Sequence, residues 1–116
     1  MKVYLRYSYT MKTNNIFQNV PRDLNEELFT TILEKDSLKL QRIVSEAHTT
    51  PEGEWYDQTD NEWFILLQGA AIISFEDKEE VKLEVGDYLN IPAHKRHRVS
   101  WTSEEEKTIW LVMHYA

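Results

Sequence analysis

The chain has 116 residues, 20 of them Asp or Glu and 13 Lys or Arg, a formal net charge of -7, 41% hydrophobic residues and no Cys. That length fits one compact domain rather than two, and the acidic balance, with no long basic stripe, excludes general nucleic-acid binding. Without cysteine there is no disulfide, thiolate metal site or cysteine nucleophile, so chemistry falls to His, Asp, Glu, Tyr or a bound ion or cofactor.

In chain order, Val3, Leu5, Tyr7 and Tyr9 alternate with Lys2, Tyr4, Arg6 and Ser8, so residues 1–20 read as an N-terminal arm or edge strand, with 2–9 a candidate for swapping onto a partner's sheet. Residues 21–116 form the single domain. It opens on a predicted amphipathic helix over about 23–35: Leu24, Leu28, Phe29, Ile32 and Leu33 share a face at helical spacing, and Asp23 with Glu26 makes a capping box after Pro21. From residue 38 the period becomes extended, with runs at 38–47, 54–58, 62–68, 70–76, 80–85, 87–91, 96–102 and 107–115 that are rich in β-branched and aromatic residues. Turn chemistry separates them, as at Pro51-Glu52-Gly53, Gln68-Gly69 and Gly86-Asp87. Eight short strands at such spacing predict a mostly β jelly roll or small barrel. The longest purely apolar run, Trp63 to Leu67, is far short of the roughly 20 residues that span a bilayer, and Lys2 and Arg6 interrupt any signal-peptide core. A cytoplasmic protein with no membrane partner is expected.

Alternation also assigns faces. His97, Val99 and Trp101 share one face and are expected to point inward, opposite Arg98, Ser100 and Thr102; Glu62, Phe64 and Leu66 share another. A carboxylate at the lip of an apolar strand needs a partner, and His97 is one candidate. Residues 52–62 hold five acids and no base, whereas His94-Lys95-Arg96-His97-Arg98 is basic or imidazole throughout, so the two segments can meet across a barrel mouth.

The stretch from Glu62 to Trp101 resembles the two motifs of the cupin superfamily. Gly86, Pro92 and His97 stand at the spacing of the second motif, with His94 where its later glycine usually sits, and Glu62 with Gly69 matches the end of the first. The chain is most similar to small single-domain bacterial cupins, which implies a double-stranded β-helix barrel, commonly a homodimer, that often holds a divalent metal such as Mn, Fe, Ni or Zn. The first motif normally supplies two histidines as His-x-His; here those positions fall on Trp55 and Asp57 at one spacing, or on Tyr56 and Gln58 at the spacing one residue shorter. The resemblance therefore implies a mixed metal site of His97, Glu62 and Asp57 or Gln58, with Tyr56 and His94 as acid–base groups and Phe64, Val99 and Trp101 lining the pocket. His97 can equally be a core histidine bonded to Glu62 or Tyr56, and Glu62 an ion-pair partner of Arg96 or Arg98. His48 and His114 receive no role, although His114 shares a face with Trp110 and Val112. Two functions follow: a metal-dependent enzyme acting on a small organic molecule, dioxygenase-like or isomerase-like, or a non-catalytic small-ligand-binding or accessory protein without metal. Were the ion absent, Tyr56, His94 and His97 can still carry metal-free acid–base isomerisation.

Overall fold

The alternation read from residue 38 onward becomes a pair of facing sheets in the computed structural model, which describes residues 11–116. Its strands are β1 (Leu28–Lys35), β2 (Leu38–Ser45), β3 (Asn61–Gln68), β4 (Ala71–Phe75), β5 (Glu80–Leu83), β6 (Tyr88–Ile91), β7 (His97–Thr102) and β8 (Thr108–Tyr115). All pair antiparallel, in a five-stranded sheet ordered β1-β2-β8-β3-β6 and a three-stranded sheet ordered β5-β4-β7. No helix of the described residues is long and apolar enough to cross a membrane.

The inward-facing residues of the two sheets make the core. Phe64 and Leu66 of β3, Trp110 and Val112 of β8, and Ile73 and Phe75 of β4 are all buried, and the Phe64 and Trp110 rings meet edge to face at 5.4 Å. Fully burying such a side chain contributes roughly 1.5–3 kcal/mol. The corner between β3 and β4 depends on Gly69: its φ is +86°, and a Cβ there would lie 2.4 Å from Thr108 Oγ1 and 2.8 Å from Thr108 Cα. Only glycine gives both the conformation and the clearance.

Three expectations need correction or delimitation. The helix expected over 23–35 is absent: Leu28–Lys35 is strand β1, paired along its length with β2 through the Asp36-Ser37 turn, and residues 21–27 form neither helix nor strand. The β-branched trio Thr30-Thr31-Ile32 and the ladder offered by β2 outweigh the helical spacing of the leucines, because propensity yields to tertiary pairing. The run 54–58 is a loop that touches a sheet only through an isolated bridge between Tyr56 and His97. The arm or edge strand expected at residues 1–10 lies outside the described residues.

Candidate functional site

Between the sheets lies a cavity of about 120 Å³, walled by apolar residues that include Ile43, Phe64, Ile73, Val99 and Trp110, with a polar end formed by Tyr56, Gln58, Glu62, His97 and His114. Three strands and one loop build that end. Glu62 of β3 and His114 of β8 are direct cross-strand partners in the five-stranded sheet. His97 begins β7 on the opposite sheet. The loop carrying Tyr56 and Gln58 is stapled to the start of β7: Tyr56 N–H donates to His97 O (2.7 Å), His97 N–H to Tyr56 O (3.2 Å) and His94 N–H to Gln58 O (2.8 Å).

This stapling settles which spacing of the first motif faces inward. Tyr56 and Gln58 line the cavity and Asp57 does not. Asp57 instead meets His94 on the surface, Nδ1 to Oδ1 at 2.9 Å, with both side chains about half exposed or more. His94 and Asp57 are therefore corrected: neither reaches the cavity. His94 has a φ of +64°, the left-handed conformation that glycine adopts without strain, which is the physical reason a glycine suits this turn.

Trp101 is a second correction. The β4–β7 ladder pairs Ile73 with Val99 and Ile72 with Trp101, so Ser100 is an extra residue in β7. A bulge of one residue reverses the alternation beyond it. Val99 keeps its place in the cavity wall, but Trp101 turns outward, 42% exposed, and Thr102 turns in. Phe64 lines the cavity as expected.

The polar groups are arranged around one carboxylate. His97 Nε2 stands 3.7 Å from Glu62 Oε1, and His114 Nδ1 stands 3.8 Å from Glu62 Oε2, with side-chain exposures of 5%, 15% and 20% for His97, Glu62 and His114. These are ion-pair separations rather than hydrogen bonds. His97 Nδ1–H donates to Lys95 O at 2.9 Å, which turns Nε2 toward Glu62. Burial works against a charged ring, yet the Glu62 carboxylate and the Lys95 carbonyl outweigh it, and the His97 pKa lies above the ordinary histidine value. Partial burial, reinforced by the Glu27 and Glu62 carboxylates, moves the Tyr56 phenol above its ordinary value of 10.0, with 40% of the residue still exposed at the cavity's edge. Gln58 Oε1 is buried without a hydrogen-bond partner. The arginines considered as partners for Glu62 are engaged elsewhere, Arg96 with Glu76 at 2.7 Å and Arg98 with Thr50 O at 3.0 Å.

Sequence reasoning missed two polar members of the cavity lining, His114 and Glu27. The alternation of Trp110, Val112 and His114 held the signal for His114; what it lacked was the register that sets His114 opposite Glu62. Glu27 also lines the cavity, held by a 2.7 Å hydrogen bond from Ser45 Oγ. It precedes β1 within the segment whose spacing predicted a helix, and that reading placed only the apolar residues toward the core.

Comparison with known proteins agrees with this architecture. A cupin domain family model matches residues 43–114. A Ralstonia eutropha JMP134 protein provisionally named a mannose-6-phosphate isomerase has 40% identity and a TM-score of 0.86, covering 90% of this chain and 98% of that one. A cupin superfamily protein of Desulfitobacterium hafniense DCB-2, 18% identical with a TM-score of 0.68 over 83% of each chain, shares the fold. The Bacillus subtilis (strain 168) uncharacterized protein YdbB is 42% identical over 50 residues, which are 42% of this chain and 44% of that relative's length. The match thus spans under half of this curated relative.

Proposed function

The chain belongs to the cupin domain family, and from that premise we propose that it is a small-molecule cupin enzyme working by acid–base chemistry in the cavity between its sheets. The observation that carries this reading is the Glu62 carboxylate set between two imidazoles, at 3.7 and 3.8 Å, in a cavity that the Tyr56 side chain also lines.

The divalent ion implied by the resemblance does not fit these donors. Two of the family's ligand positions are occupied by the neutral side chains of Tyr56 and Gln58, and among the described residues no three His, Asp or Glu groups converge on one point. The two imidazoles approach different oxygens of Glu62. A lone His97 and Glu62 make a weak chelate for Mn, Fe, Ni or Zn.

The chain's own groups suffice for proton transfer. Glu62 takes a proton from a carbon next to a carbonyl, and His97 Nε2, whose pKa is raised, or the Tyr56 hydroxyl gives one to the carbonyl oxygen. Glu62 then delivers its proton to the former carbonyl carbon, while a hydroxyl on the neighbouring carbon becomes the new carbonyl and returns its proton to His97 or Tyr56. The product is an isomer, and no oxidant or reductant is consumed. Size limits the substrate: a cavity near 150 Å³ holds about one benzene, so about 120 Å³ suits a molecule of similar size or smaller.

The test combines two measurements on untagged protein purified without chelator. Small hydroxy-aldehydes and hydroxy-ketones are incubated in D₂O and followed by NMR, and metal content is measured beside a His97→Ala variant. Exchange of carbon-bound hydrogen at a metal content far below stoichiometric is expected, falling about 10²- to 10⁴-fold in Glu62→Gln. Near-stoichiometric metal lost in His97→Ala overturns the metal-free reading, and ligand binding without exchange favours the non-catalytic one. The expected homodimer is supported by edge strand β1, whose outer backbone edge is unpaired among the described residues and where Leu33 is about half exposed. Light scattering that gives a monomer mass at micromolar concentration overturns it.

A further inference from the structure

All 20 acidic residues of the chain lie after position 22; the first 22 residues carry only Lys2, Arg6, Lys12 and Arg22 as charged groups. Part of this acid-free segment forms a turn, closed by Gln18 N–H donating to Asn15 O and Phe17 N–H to Asn15 Oδ1. The turn is tied to β2 by Arg42, whose Nη1 donates to Ile16 O and Gln18 O. Ile43 faces the inner cavity, so its neighbour Arg42 points to the opposite face of the same sheet.

Arg42 is only 6% exposed, and its Nε is buried with no hydrogen-bond partner among the described residues. No carboxylate among the described residues forms an ion pair with it, and residues 1–10 contain no Asp or Glu to supply one. A buried guanidinium is ordinarily paired, because an uncompensated charge away from water is costly. Beside it lies a second cavity of about 540 Å³ that shares no lining residue with the first. Side-chain amides and threonine hydroxyls form one part of its wall, Leu28 and Ile32 another, and no acid is among them.

We propose that this outer cavity is a second binding site, for a small organic acid whose carboxylate compensates Arg42 and whose apolar body rests on Leu28 and Ile32. Guanidinium recognises carboxylate through planar, charge-assisted hydrogen bonds. In a chain of net charge -7, the lack of any acid in this wall is what lets an anion approach.

Butyrate, acetate, inorganic phosphate and chloride at equal ionic strength are titrated into the full chain, following the Arg42 Nε–Hε resonance and the melting temperature. Butyrate is expected to move the resonance and to raise Tm by about 5 °C at roughly ten times its Kd. Ile32→Ser, at a half-exposed position, is expected to weaken butyrate about fivefold and leave acetate unchanged. Arg42→Lys is expected to lose the response. A resonance that stays still, or that chloride moves as far as butyrate does, overturns the site, and that measurement needs no variant that folds. A response to phosphate without one to butyrate overturns the organic-acid assignment.

Discussion

β1 and β8 are each eight residues long and both lie against β2, yet they meet opposite fates. β8 has β2 on one side and β3 on the other, and Thr108, Ile109, Trp110 and Val112 are buried. Among the described residues β1 has only β2, and seven of its eight residues are exposed, Phe29, Ile32 and Leu33 among them. Both strands are rich in apolar residues. Burial is therefore set by what stands beside and above a strand: the chemical end of the cavity is drawn from β3 and β8, with neighbours on both sides, and from the start of edge strand β7, which faces the larger sheet and is bonded to the Tyr56–Gln58 loop.

The largest test of this contrast compares Trp110→Ala with Ile32→Ala. Removing the buried indole that packs on Phe64 is expected to cost about 3–5 kcal/mol, whereas the edge substitution costs less than about 1 kcal/mol in a monomer; urea unfolding measures both. A larger effect at Ile32 would show that β1 is covered in solution. Next comes Gly69→Ala, which combines a left-handed φ with a clash against the start of β8 and is expected to cost at least about 2 kcal/mol. Gly53→Ala, with the same sign of φ but open space around it, is expected to cost only about 1 kcal/mol.

A third comparison uses pH. Because the folded-state pKa of His97 is raised by Glu62 and Lys95 O against its burial, the folded protein holds that proton more tightly than the unfolded chain. The pair's contribution is full below the unfolded value near 6.5 and is lost as pH rises through the folded value. Thermal unfolding between pH 6 and pH 9 is expected to show this decline in the wild type and to lose it in Glu62→Gln. The smallest effect belongs to the exposed His94–Asp57 pair. His94→Gly removes a half-exposed ion pair worth under about 1 kcal/mol and relieves a left-handed backbone by a similar amount. Stability close to wild type and unchanged turnover are expected, and a large loss of turnover would restore His94 to the catalytic groups.

Much of the site was legible by residue and little of it by geometry. Glu62 and His97 could be named from motif spacing, and both reach the cavity. Tyr56 and Gln58 were ambiguous with Trp55 and Asp57 by one residue, because a loop has no period; main-chain bonds to residues 94–97 decide the phase. Trp101 was misassigned because alternation carries no information about an inserted residue, and the Ser100 bulge is visible only in the pairing with β4. His114 lay on the right face but needed the β3–β8 register to meet Glu62.

By itself the amino-acid sequence determined a single β domain, seven of its eight strands from residue 38 onward, and the identity of the central carboxylate and imidazole. It could do so because alternation and turn residues act between near neighbours in the chain, where local sterics and burial leave a readable period. Only the tertiary structure decided that Leu28–Lys35 is an edge strand, that Trp101 faces outward, that His114 joins Glu62 and that Arg42 is buried without a counter-charge. Each of these depends on a partner distant in sequence, and an edge ladder, a bulge or a buried charge has no meaning until that partner is in place.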